Sequence, residues 1–116
     1  MADFQAHLAE FRELGTAILA LSADSRDDAL SLVTALGLEF TVGYGLDPEP
    51  VASAIGCYTG VREGRPHLQP AAFVLDPDGN VVHAVYSSGK VGRLTARDAL
   101  ILVRDRAKAA GEKSLI

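Results

Sequence analysis

Cysteine is almost absent from this chain: Cys57 is the only one in 116 residues. That excludes an intrachain disulfide and fits a reducing compartment, so the expected location is the cytoplasm. A basic excess is also missing, with a net charge of −4. That argues against a nucleic-acid partner and against an anionic membrane surface. Apolar runs are broken by polar residues or glycine well short of the ~18 residues that a membrane span needs. The start, Met1-Ala2-Asp3-Phe4-Gln5, has neither the basic head nor the apolar centre of a secretory signal. Repeats, low-complexity tracts and interdomain linkers are absent too, and the length suits one domain.

What is present is organised around Pro70–Tyr86. Ala72–Leu75 is a short apolar run, and Val81–Tyr86 is rich in β-branched and aromatic residues. Between them Asp76-Pro77-Asp78-Gly79 fits a type I turn, with Pro77 presetting φ and Gly79 taking the left-handed conformation. The spacing predicts a hairpin with a bulge at Gly79. A helix through the same stretch would place Pro77 and Gly79 in its interior, which is physically poor.

Ahead of this hairpin, Phe4, Leu8, Phe11 and Leu14 line one face of a helix over 2–14 that Gly15 stops. Residues 16–22 run nearly apolar, as does a strand covered on both faces and paired in parallel. Asp24 or Ser25 caps a helix whose inner face is Ala29, Leu30, Val33 and Leu36, ended by Gly37. Leu38–Val42 alternates like a half-buried strand. Pro48 and Pro50 open a short helix closed by Gly56. Residues 57–69 read as a short strand at 57–61 and then a polar loop. The last helix starts at Thr95, where Thr95-x-x-Asp98 resembles a capping box. Its inner face is Ala99, Leu102, Val103 and Ala107, widened by Leu100 and Ile101, and residues from 111 form a loose tail. Helix–strand–helix–strand–helix–hairpin–helix is the order of an α/β layered domain.

Ile18–Ser25, Leu38-Glu39-Phe40, Pro70–Asp76 with Asp78-Gly79, Ser87-Ser88-Gly89 and Gly92-Arg93-Leu94 together resemble the AhpC/TSA peroxiredoxins of the thioredoxin superfamily. The resemblance spans residues 4–106. It implies an α/β, thioredoxin-like sheet with a C-terminal β-hairpin and packing helices, and a family activity of thiol-dependent reduction of peroxides or disulfides. By the same resemblance, Pro70 occupies the position where many thioredoxin-like proteins place a cis-proline beside the active site. Many peroxiredoxins have an arginine there to hold the reactive thiolate; Gln69, just before, cannot supply that charge. The Pro-x-x-x-Thr-x-x-Cys or Cys-x-x-Cys segment is also missing. Residues 2–14 resemble the later part of the helix that follows it, so the expectation is that the central strand and reactive cysteine lie before Met1. The sheet would then lack its middle strand. Strands 16–22 and 71–75 would either close up on each other or have the gap filled by a second chain, hence an expected homodimer.

Cys57 is the one redox-capable nucleophile and the catalytic candidate. It follows a helix C-terminus, where the dipole disfavours a thiolate, although Arg62 and Arg65 are near in sequence. A small buried hydrophobe is the plainer reading of a free cysteine. His7, His67 and His83 lack metal-ligand spacing with one another or with Cys57, so no metal site is expected; His83 shares an alternating face with Val81 and Val85. Gly89-Lys90 lacks the first glycine and the Ser/Thr of a phosphate loop, and Gly43-x-Gly45 lacks a third glycine. Lys90 and Arg93 near the last helix could meet an anion. No cofactor is expected. The expected function is that of a peroxiredoxin-like domain which, without the reactive-cysteine motif, is inactive as it stands. The alternatives are a non-catalytic dimerising module, a one-cysteine redox protein using Cys57 with a peroxide and an external thiol reductant, and a small-ligand binder built on the Gly43–Pro50 and Ser87–Arg93 loops.

Overall fold

The computed structural model describes residues 1–89 and 91–114, with residues 109–114 described by backbone alone. The N-terminal apolar stripe forms two helices, α1 (Ala2–Ala6) and α2 (Leu8–Glu13), where one was expected. The break falls at His7, at φ −108° and ψ 9°. The His7 Nδ1–H donates to the Asp3 carbonyl at 2.9 Å, four residues back, and so competes with the backbone of the helix. The stripe itself is as read: Leu8 and Phe11 are buried, and Phe4 and Phe11 stack with ring centroids 5.7 Å apart.

Strand β1 (Leu19–Leu21) pairs in parallel with β2 (Thr41–Gly43), and α3 (Arg26–Leu36) crosses between them. Ser25 caps α3 by accepting the Asp28 N–H at 3.2 Å, and Gly37 ends it in the left-handed region at φ 60°. The expectation that β1 is covered on both faces fails. Leu19 and Leu21 are 63% and 58% exposed, because β1 has one neighbouring strand and no layer over these side chains. On α3 only Ala29 is buried, whereas Leu30 and Leu36, also read as inward, are exposed. An amphipathic pattern says which face could be covered; coverage requires a partner layer.

Helix α4 (Pro48–Ile55) carries proline in its first turn and closes at Gly56. After it comes a hairpin: β3 (Thr59–Arg62) lies close to the short strand expected at 57–61, and β4 (Arg65–Leu68), where a polar loop was expected, pairs with it antiparallel. Their two-residue turn, Glu63-Gly64, has positive φ at both positions, 53° and 75°, as a type I′ turn requires. The next hairpin, β5 (Ala71–Leu75) with β6 (Val81–Tyr86), is the one the sequence announces. Asp76 Oδ1 accepts the N–H groups of Asp78 at 3.0 Å and Asn80 at 2.9 Å, and Gly79 sits at φ 86°. The bulge lies in the ladder and not at Gly79. Val74 faces His83 and Leu75 faces Val81, leaving Val82 as the extra residue. That extra residue separates exposed Val81 from half-buried His83 and Val85, which were expected to share its face.

The last helix, α5 (Ala96–Ser114), runs past the point where a loose tail was expected. Thr95 Oγ1 accepts the Asp98 N–H at 3.1 Å, as the capping pattern predicts. Ala96, Ala99 and Leu100 are buried against Phe11, with Phe4, Leu14, Ile18, Leu94 and Val103 around them. Leu102 and Val103 are only half-buried, and Ile101 and Ala107 are exposed.

Among the described residues the mixed α/β chain therefore holds three separate two-stranded sheets. Strands β1 and β5 do not close up on each other, contrary to one expectation. Its radius of gyration is 15.6 Å, against about 13 Å for a compact chain of this length.

Candidate active site

Gly56, in the left-handed conformation at φ 75°, turns the chain out of α4 and delivers Cys57 to the start of the first hairpin. The Gln69 N–H donates to the Tyr58 carbonyl at 2.9 Å, extending the β3–β4 ladder by one step. The next residue outward on each side is a predicted site residue: Cys57 beyond Tyr58, and Pro70 beyond Gln69. Sequence reasoning proposed these two positions separately, and the Tyr58–Gln69 bond sets both at the same end of the ladder.

Two further bonds hold this junction. The Tyr86 hydroxyl donates to the Ile55 carbonyl at 2.9 Å, tying the end of α4 to the end of β6. The Ser87 N–H donates to the Pro70 carbonyl at 2.9 Å, tying the start of β5 to the loop after β6. Tyr86 also meets Phe73 edge-on, with ring centroids 5.6 Å apart. Pro70 enters through a trans peptide bond, because no cis bond occurs in the described chain, unlike the family position it resembles.

Cys57 is half-buried. Its thiol makes no hydrogen bond among the described residues, and it stands at the carbonyl end of α4, where the helix dipole opposes a thiolate. The junction therefore has shape and backbone polarity but no activating cation in a defined contact.

The loop after β6 is organised by Ser87, which is buried. Its hydroxyl donates to the Gly89 carbonyl at 2.8 Å and to the Val91 carbonyl. Lys90, half of the sequence-proposed anion pair, lies outside the described residues. No cluster of His, Cys, Asp and Glu fit to hold a metal occurs among the described residues. No helix among them is long and apolar enough to cross a membrane.

The sequence model of the AhpC/TSA family matches residues 1–84. The chain belongs to the AhpC/TSA family. Membership carries the thioredoxin-like fold and places the chain among thiol-dependent redox proteins. No curated protein matches it significantly. The matched region takes in β1, β2 and the first hairpin as well as β5, so the Cys57–Pro70 junction lies within it. The 116 residues nevertheless hold no Cys-x-x-Cys segment, since Cys57 is the only cysteine, and no Pro-x-x-x-Thr-x-x-Cys segment, since Pro50 stands seven residues before Cys57 but Ala54 occupies the threonine position.

Sequence reasoning missed the β3–β4 hairpin, and with it the adjacency of Cys57 and Pro70. One signal was available: in Arg62-Glu63-Gly64-Arg65 a glycine stands at the second turn position, which a two-residue hairpin favours.

Proposed function

We propose that this AhpC/TSA chain is an association module, pairing with a second copy of itself and not turning over peroxide. The observation that carries this reading is the pair of free strand edges. Ser22 both donates to the Gly43 carbonyl at 3.1 Å and accepts from the Leu46 N–H at 3.2 Å. By strand alternation Ala20 also faces β2, so the N–H and C=O groups of Leu19 and Leu21 point to the opposite edge. On β5, Pro70 accepts from Ser87 and Asp76 donates to the Asn80 carbonyl at 2.9 Å, so Phe73 and Leu75 turn their backbone away from β6. No strand lies along either edge among the described residues. Such an edge, flanked by exposed Leu19, Leu21 and Leu75, is a template for pairing with another chain. A two-fold partner presents the same edge running antiparallel, so one interface satisfies both copies.

The test is sedimentation equilibrium together with peroxide consumption in the presence of dithiothreitol. A dimer that consumes no peroxide above buffer supports the reading; a monomer at high micromolar concentration removes it. The single cysteine, which leaves no intrachain disulfide, supports a reducing, cytoplasmic setting.

A second reading is favoured by the Cys57–Pro70 adjacency alone. In it the Cys57 thiolate attacks one peroxide oxygen, the O–O bond breaks, and the leaving alkoxide or hydroxide takes up a proton. The sulfenic acid left on Cys57 is then reduced by an external dithiol, which ends as its disulfide with release of water. Loss of peroxide consumption in Cys57→Ser is the result that would favour it.

A further inference from the structure

We infer that the β3–β4 hairpin carries a binding site for a phosphate group. Arg62 and Arg65 are direct cross-strand partners beside the two-residue turn, so their side chains leave the same face. Like charges directly opposite each other destabilise a ladder. Neither arginine forms an ion pair among the described residues, although the chain as a whole carries more acidic than basic groups.

The same face continues into polar groups with unfilled hydrogen-bonding capacity. Gly60 pairs with His67, and Gln69 follows at the next in-facing position. A Cβ on Gly60 would lie 2.6 Å from Gln69 Nε2 and 2.8 Å from His67 Cε1. The amide and the imidazole therefore rest on the bare glycine backbone, and only glycine leaves them room. Arg62, His67 and Gln69, with Val61, line a cavity of about 430 Å³. His67 Nδ1 is shielded from solvent with no hydrogen-bond partner. Placing the ring proton on Nε2 avoids burying an unpaired donor, and it makes Nε2 a donor for a ligand. The Arg62 guanidinium, the His67 ring and the Gln69 amide line this cavity, a set with no acid in it, and Arg65, directly opposite Arg62 on the ladder, adds a second positive charge on the same face. A phosphate dianion matches it in charge and in number of acceptors.

The test follows amide shifts of residues 58–69 in ¹H–¹⁵N spectra while inorganic phosphate, glycerol 1-phosphate or acetate is added at low salt. Saturable shifts with both phosphates, and weaker ones with acetate, are expected. Arg65→Gln should weaken phosphate binding by about tenfold or more. Gly60→Ala, which leaves the charge unchanged but displaces His67 and Gln69, should weaken it as well. Both arginines are exposed, so far-UV circular dichroism of Arg62→Gln and Arg65→Gln should match the parent. Equal response to acetate, unaltered binding in Arg65→Gln, or binding only to phosphatidic acid vesicles would overturn the assignment.

Discussion

The Asp3 carboxylate accepts the backbone N–H of Ala96 at 2.8 Å, so the first helix of the chain caps the last. Ala96 is fully buried, and its N–H is one of those a helix N-terminus cannot satisfy from within. The negative charge also sits at the positive end of the α5 dipole. This one bond joins α1 to α5 beside the Phe11–Leu100 cluster.

Asp3→Ala should therefore destabilise the protein by ~1 kcal/mol, the usual loss for a helix cap. For a domain of this size that corresponds to a melting point lower by roughly 4–8 °C. Asp3→Asn keeps an acceptor oxygen and should recover part of the loss. Thermal unfolding followed at 222 nm measures both; an unchanged melting point for Asp3→Ala would show that solvent caps Ala96 equally well.

Acid should act on the second hairpin through Asp76. The Asn80 backbone N–H holds this carboxyl below its ordinary value; desolvation opposes it, and the Asn80 side-chain amide, the Asp78 N–H and the Arg106 charge add to the lowering. A depressed folded-state pKa gives stability that is fully present above the unfolded value, about 3.9, and is lost as pH falls through the folded value. Comparing Asp76→Ala with the parent, the difference in melting point should be full at pH 6 and should shrink steadily below pH ~4. A difference independent of pH would assign the effect to turn geometry and not to the charge.

Glu63 occupies φ 53°, where a side chain with a Cβ is strained by roughly 1–2 kcal/mol. Asparagine tolerates this region better and makes the favoured Asn-Gly turn with Gly64. Glu63→Asn should raise stability by ~0.5–1 kcal/mol in urea unfolding, with the m value unchanged.

Why some of this could be read in advance and some could not is visible in individual residues. Ser25, Gly37, Thr95 and the Asp76–Gly79 turn act on backbone within four residues of themselves, so their effects appear in the sequence. Glu63 hid the first hairpin, because a glutamate gives no hint that it will take a positive φ. Burial was misread wherever it depended on a distant layer. Leu19, Leu21, Leu30 and Leu36 have the pattern of inward residues, yet nothing in 16–22 or 26–36 reveals that their cover is missing. The Cys57–Pro70 junction belongs to the same class: it exists because Tyr58 and Gln69 pair, and pairing is a long-range property. The family resemblance was legible because it rests on the order of several short pieces.

If the β1 edge is where two copies meet, charging it should separate them. Leu19 and Leu21 are exposed in the single chain, so lysine at either position costs little there; Leu19 is the cleaner site, because Leu21 packs over Gly43. Strand β1 is only three residues long, so across a two-fold ladder the two copies of the lysine lie within a few register positions of each other, and like charges close together on paired strands repel. Leu19→Lys should therefore shift sedimentation from dimer to monomer, raising the dissociation constant by tenfold or more, while melting of the dilute monomer stays within about 0.5 kcal/mol of the parent. A matching substitution on β5, Leu75→Lys, tells the two edges apart. Only the edge in the interface should respond, and a dimer indifferent to both lysines would show that the copies associate through another surface.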